Sequence, residues 1–186
     1  MKRTLKIGVV QAKAPFSIEE GESNILKFVR KAKENKVGIL GLPEDCVCGR
    51  FVYLEDYFPF DFLSKKAKKF NISLFGSNAT LEGGRHYGTG FYIDNHGKVL
   101  SKVHKIILTK PEKETGFTVG KNYTPFPSFG NSLIVDRDNG FLKRGSEADE
   151  ELLIGDVSVR TKEEIEKSYR SKWDPVKIPN IKISGS

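Results

Sequence analysis

Apolar positions along this chain follow two rhythms, helical early and alternating later, and the change between them sets out the fold. Residues 6–11 (KIGVVQ) form a short β-branched run that reads as a buried strand. Ser17, followed by Glu19 and Glu20, is an N-cap with acids in the first turn. Beyond it Ile25, Phe28, Val29 and Ala32 recur at helical spacing, which predicts an amphipathic helix over 18–36. Residues 37–42 (VGILGL) are the next strand, ending at Pro43 and Glu44. The stretch 53–70 carries Leu54, Tyr57, Phe58, Phe62, Leu63 and Ala67, a second helix interrupted near Pro59. Residues 72–81 (ISLFGSNATL) give a third strand.

After Gly83 and Gly84 the pattern turns to hairpins. Strands over 87–94 and 98–107 flank Asn95-His96-Gly97, a glycine turn. A second unit follows, with strands at 132–135, 141–144 and 151–157 and a turn at Asp138-Asn139-Gly140. Residues 161–169 read as a last helix, and the tail beyond, with Pro175 and Pro179, as extended. Strand–helix–strand units followed by hairpins predict a layered α/β sandwich rather than an all-β fold. One domain over 1–170 and an extended tail over 171–186 are expected.

Composition narrows the function classes. A chain of 186 residues, 38% hydrophobic and 30% charged, has enough apolar matter for one core, which argues against wholesale disorder. No apolar run nears the ~20 residues that span a bilayer. Lys2, Arg3 and Lys6 are basic, but the apolar stretch after them is one strand long, too short for a signal-peptide core, so a cytoplasmic location is expected. The net charge of +7 comes from lysines spread among glutamates, as in Lys31-Ala32-Lys33-Glu34, which describes solvated helix faces better than a nucleic-acid surface. Cys46 and Cys48 form a lone C-x-C pair, which suits neither a zinc site nor a usual disulfide spacing and fits reduced thiols.

Three residues carry candidate chemistry. Glu44 follows a buried strand, where a carboxylate can be desolvated and serve as a general base. Lys105 lies just past the first hairpin and can steady an oxyanion. Glu112 follows in Lys110-Pro111-Glu112, ahead of Gly116-Phe117-Thr118-Val119-Gly120. On residue type alone an ordinary ion pair explains Glu44 and Lys105 as well.

Order and spacing add more. Lys6-Ile7-Gly8-Val9-Val10-Gln11-Ala12, then Leu42-Pro43-Glu44, then Tyr92-Ile93-Asp94-Asn95-His96-Gly97-Lys98-Val99-Leu100, then Lys105, Glu112 and the Gly116 to Gly120 stretch resemble the nitrilase superfamily of carbon–nitrogen hydrolases. The resemblance resumes at Gly130-Asn131-Ser132-Leu133-Ile134-Val135-Asp136, like the family's late G-x-S-x-I-x-D strand, and at the strand near Glu151. It implies a shortened α-β-β-α sandwich, usually paired as a dimer, that cleaves or forms non-peptide C–N bonds of amides or nitriles through a cysteine thioester, with no metal or organic cofactor. It also implies Glu44 as general base, Lys105 as stabiliser of the tetrahedral intermediate, and Glu112 as the second glutamate that positions lysine and substrate. No nucleic-acid or membrane partner is expected.

The nucleophile is missing from that pattern. The family carries it in an I-C-Y-D strand between the counterparts of Gly120 and Ser132, where this chain has only residues 121–131, and no cysteine follows Cys48. A block of two or three strand–helix units, ~30 residues each, is absent there. Two substitutes merit naming. A shifted alignment puts Asp136 in the nucleophile strand, although a carboxylate is a poor replacement for a thiolate. Cys46 would share a strand face with Glu44 if the strand ran on past Pro43, although small buried apolar residues are the simpler reading of both cysteines. Gly116 to Lys121 is one residue short of a phosphate-binding loop, Asp136 to Gly140 lacks calcium-loop spacing, and His86, His96 and His104 have no metal-partner spacing. Trp173 and Tyr169 read as packing anchors for the tail. Loss of internal strands is expected to open sheet edges and to make the chain depend on a partner.

Overall fold

The computed structural model describes residues 3–48, 59–121, 133–136, 140–144, 150–159, 161 and 163–164. Within them, β1 (Arg3–Gln11), α1 (Ile18–Glu34), β2 (Ile39–Gly41), α2 (Pro59–Phe70) and β3 (Ser73–Glu82) form two consecutive strand–helix–strand units. The strands β1, β2 and β3 are mutually parallel neighbours, in register at Ile7–Ile39 and Ile39–Ser73. β4 (Arg85–Ile93) and β5 (Val99–His104) add two antiparallel strands beyond β3. On the far side, β8 (Glu151–Val159) runs antiparallel along the whole of β1, from Arg3–Val159 to Gln11–Glu151. The sheet order is therefore β5-β4-β3-β2-β1-β8. β6 (Leu133–Asp136) and β7 (Gly140–Arg144) pair as a separate two-stranded ribbon, with β8 beside it.

Both crossover helices cover the same face of this sheet. α1 starts where Ser17 Oγ accepts the Glu20 N–H at 3.2 Å, while Glu20 reaches back to the Phe16 N–H at 2.8 Å. Its buried stripe is Ile25, Phe28, Val29 and Ala32, as the spacing predicts. α2 contributes Phe60, Leu63 and Ala67. They meet Val10, Leu40, Leu74 and Ile93 from four adjacent strands in one core, in which each large side chain contributes roughly 1.5–3 kcal/mol. Gly21 lies where α1 crosses the segment after β2: a Cβ there would stand 1.9 Å from the Val47 carbonyl oxygen, so only glycine fits.

The predicted α/β sandwich is thus present in shortened form, as one helix-covered six-stranded sheet with a small second ribbon. Of the second predicted helix the structure describes Pro59–Phe70, and residues 53–58 lie outside the described set. Two details differ from the sequence reading. A five-residue helix, α3 (Lys110–Glu114), follows β5 where no helix was expected. β2 is shorter than the predicted strand over 37–42, spanning only Ile39–Gly41. The outer edge of β1 is occupied by β8. Of the last predicted helix only Glu163 and Glu164 are described, and the tail with Trp173 lies outside the described residues.

Candidate active site

The segment after β2 leaves the sheet gradually. Leu42 N–H still donates to the Phe75 carbonyl at 2.7 Å and Cys46 N–H to the Ser77 carbonyl at 3.2 Å, so residues 42–46 run beside β3 without joining it. Asp45, at φ 54°, sits in the left-handed region and turns the chain there. Fully buried Asn78 then fastens the far end. Its Oδ1 accepts from Val47 N–H (2.8 Å) and Cys48 N–H (3.1 Å), and its Nδ2 donates to Cys48 Sγ (2.9 Å) and the Ala79 carbonyl (2.8 Å). Glu44 is held between these two anchorages.

Lys105 is the first residue beyond β5. Its N–H donates to the Gly88 carbonyl at 2.7 Å, and its carbonyl accepts from the Gly120 N–H at 2.9 Å. The side chain lies across Gly88, where a Cβ would touch its Cβ and Cδ at 3.5 and 3.6 Å. Glu112 comes from α3. One oxygen, Oε2, caps that helix by accepting from the Thr109 N–H (2.6 Å) and hydroxyl (2.9 Å), which leaves Oε1 to face Lys105.

The three residues singled out in the sequence meet. Lys105 Nζ stands 3.1 Å from Glu44 Oε1 and 2.9 Å from Glu112 Oε1, so one cation bridges two carboxylates. The Glu112 side chain is 4% exposed, the other two 18%. Burial works against the charge on Lys105, but hydrogen bonds from Glu112 and Glu44 outweigh it and raise the ammonium pKa above its ordinary value. Burial likewise pushes Glu112 up, yet the bonds from Lys105 and Thr109 prevail and hold its carboxyl below the usual range. Both groups are therefore charged across the neutral range.

Glu44, Asp45, Ser77, Asn78, Gly88, Lys105, Glu112 and Phe117 line one cleft of about 280 Å³ including its mouth, whose enclosed end admits one water-sized group. Two buried polar atoms in this lining, Glu44 Oε2 and Ser77 Oγ, have no hydrogen-bond partner among the described residues. Sequence reasoning missed Ser77, which lies mid-strand in a run of small residues and gives no pattern signal. It also missed Asn78, and it missed the Thr109-x-x-Glu112 capping box, which was legible in principle. Among the described residues no group of three His, Cys, Asp or Glu side chains is arranged to hold a metal ion.

The cysteines do not share a strand face with Glu44, because β2 ends at Gly41 and the chain turns at Asp45. Cys46 packs in the main core and Cys48 in a small cluster with Ala79. Burial, then the charges of Asp45 and Cys48, drive the Cys46 thiol well above its ordinary pKa. Burial pushes Cys48 up to about 11, against the Asn78 amide that donates to it. Asp136 ends β6 opposite Gly140, in the ribbon.

Comparison with known proteins decides the family. The carbon-nitrogen hydrolase family model matches residues 6–128, about two-thirds of the chain. The chain belongs to the carbon–nitrogen hydrolase family. The match covers every element from β1 to α3 except its first few residues and stops short of β6. Among solved structures the chain is similar to the NitN amidase from Nesterenkonia sp. AN1, with a TM-score of 0.59 and 26% identity over 68% of this chain and 53% of that one. A cysteine-to-alanine variant of the AN1 amidase in complex with butyramide matches equally well, at TM-score 0.59 and 26% identity over 68% and 52%. A glutamate-to-glutamine variant of that amidase, with acrylamide added to its active-site cysteine, matches at 0.59 and 25% over 68% and 54%. The chain thus spans about half the length of these amidases. A comparison with curated proteins finds no match.

Proposed function

We propose that this member of the carbon–nitrogen hydrolase family binds small amides or nitriles at the Glu44–Lys105–Glu112 cleft and does not hydrolyse them. One observation carries the reading: Lys105 is clamped between two carboxylates at 3.1 and 2.9 Å in a cleft that no reactive thiol serves. Lys105 is the cation suited to an amide carbonyl oxygen or a developing oxyanion. Glu44 is the base suited to taking a proton from a nucleophile, and Glu112 holds the lysine in place. What acyl transfer also requires is a thiolate within reach of the carbonyl carbon. Both thiols of the chain are buried and have raised pKa values, so neither supplies one at neutral pH.

The test combines ammonia release from a panel of simple amides with intact-mass analysis after iodoacetamide, on the wild type and on Cys46→Ala. No turnover, together with unlabelled thiols in the folded chain, is the expected result. Ammonia that appears with the wild type and vanishes with Cys46→Ala, alongside selective labelling of that thiol, would show an active site rebuilt around Cys46 and sink the proposal. The chain is further proposed to pair as a homodimer, as its family resemblance implies. Sedimentation that returns a stable monomer at micromolar concentration overturns that part alone.

A further inference from the structure

Ser77 has no part in the chemistry argued so far, yet it carries one of the cleft's two buried polar atoms that have no partner among the described residues. The residue is 5% exposed, sits mid-strand in β3 opposite Gly90, and its hydroxyl lines the same space as Glu44 Oε2. Leaving a buried polar atom unpaired costs about 1–3 kcal/mol. Most buried side-chain polar atoms have a partner, so two without one at a single cleft point to an occupant that satisfies both. The two atoms do not bond each other, so each is open to a group bound in the cleft they both line.

The chemistry of that occupant follows from the two groups. Glu44, paired through Oε1 with an ammonium, is a carboxylate whose Oε2 can only accept. The hydroxyl of Ser77 can accept as well as donate. A group with two N–H donors and about the size of a water molecule satisfies both at once, and the enclosed end of the cleft admits one such group. We infer that Ser77 Oγ and Glu44 Oε2 together grip the –NH₂ of a primary amide, which makes Ser77 the residue that separates primary amides from N-substituted ones. This rests on the amide-binding reading above and names the residue behind its selectivity. An N-methyl group removes one of the two donors and puts a carbon where only a water-sized group fits, so discrimination by loss of a donor is compounded by size.

The test is ligand-observed NMR titration of the full chain with acetamide and with N-methylacetamide, for the wild type, Ser77→Ala and Glu44→Gln, with thermal melting of each. Wild type is expected to bind acetamide more tightly than N-methylacetamide. Ser77→Ala should weaken acetamide about five- to tenfold, the effect of one lost hydrogen bond, and leave N-methylacetamide unchanged. Its melting temperature should hold or rise, because the substitution removes a hydroxyl that has no partner in the fold. A merely structural serine would show the reverse, a lower melting temperature with selectivity intact. Should Ser77→Ala fail to fold, Ser77→Cys keeps the side-chain shape with a weaker donor and acceptor and must show the same loss of selectivity. Equal acetamide affinity in wild type and Ser77→Ala, with Glu44→Gln impaired, overturns the role of Ser77 and leaves the binding site standing. No acetamide binding by wild type overturns the site and the serine together.

Discussion

Replacing Lys105 with methionine tests the clamp directly, since methionine keeps the aliphatic stem over Gly88 and removes only the charge. Lys105 makes two charge-assisted hydrogen bonds, at 3.1 Å to Glu44 and 2.9 Å to Glu112, and the Glu112 side chain is 4% exposed. Removing one partner of a buried ion pair costs about 3–5 kcal/mol, because the other charge remains without compensation. Glu44 and Lys105 are both 18% exposed, which lets water relieve part of this, so the low end, about 3 kcal/mol, is expected at pH 7. Glu112→Gln leaves the Thr109 cap an oxygen to donate to and should cost about 1–2 kcal/mol. Because Lys105→Met and Glu112→Gln remove opposite ends of one interaction, the double variant should be less destabilised than the sum by about 1–2 kcal/mol. The pH dependence has a definite sign. Glu112 titrates below its ordinary value of 4.5 in the folded chain, so its contribution is present above pH 4.5 and fades as pH falls through the folded value. The penalty of Lys105→Met should therefore shrink between pH 7 and pH 4. Equilibrium urea unfolding of the four proteins at both pH values measures all of this. A Lys105→Met penalty below about 0.5 kcal/mol, or strict additivity in the cycle, would refute the clamp.

Three further outcomes follow from the same residues. Both thiols should stay unalkylated by iodoacetamide at pH 8 and react fully in denaturant; because their folded pKa values lie above the ordinary 9.0, stability should be complete below pH 9 and fall as pH rises past it, and Cys46→Ala with Cys48→Ala should flatten that fall. Asn78→Ala leaves the Val47 and Cys48 N–H groups buried without an acceptor and should cost about 3 kcal/mol, with hydrogen exchange quickening first at those two amides. Gly21→Ala forces a Cβ against the Val47 carbonyl oxygen and should cost about 3 kcal/mol, seen as a melting temperature lower by roughly 6–12 °C.

The sequence showed the frame of this fold and half of its site. α1 was legible to the residue at its start because Ser17, Glu19, Glu20 and the Ile25–Phe28–Val29–Ala32 stripe all speak locally. The meeting of Glu44, Lys105 and Glu112 came from motif order, since no local property relates residues 61 and seven positions apart. What stayed hidden depended on tertiary context. Ser77 and Asn78 look alike as mid-strand polar residues; one is satisfied four times over and the other not at all, a difference fixed by where residues 44–48 pass. The path of those residues past Pro43 was not legible, because Asp45 turns the chain there through a left-handed φ. α3 escaped notice because a five-residue helix has no room for an amphipathic period and announces itself only through its cap.

The sheet also shows how the described part of the chain closes its edges. The outer edge of β1, a nine-residue strand of the core, is a ready template for aggregation if left open. β8 takes that edge in register from Arg3 to Gln11, supplying Leu152 and Ile154 to the core beside Val10. At the other side β5 has no outer neighbour among the described residues, but it is short and carries Lys102, whose ammonium pairs with Glu82 of β3 at 3.0 Å. A short strand with a charged, engaged side chain is a poor template for further pairing. The clamp, for its part, is assembled from β3, β4 and the segments that follow β2 and β5, all before residue 121. Edge closure and site assembly thus draw on different parts of the chain, and the contacts of Lys105 with its two glutamates lie wholly before residue 121.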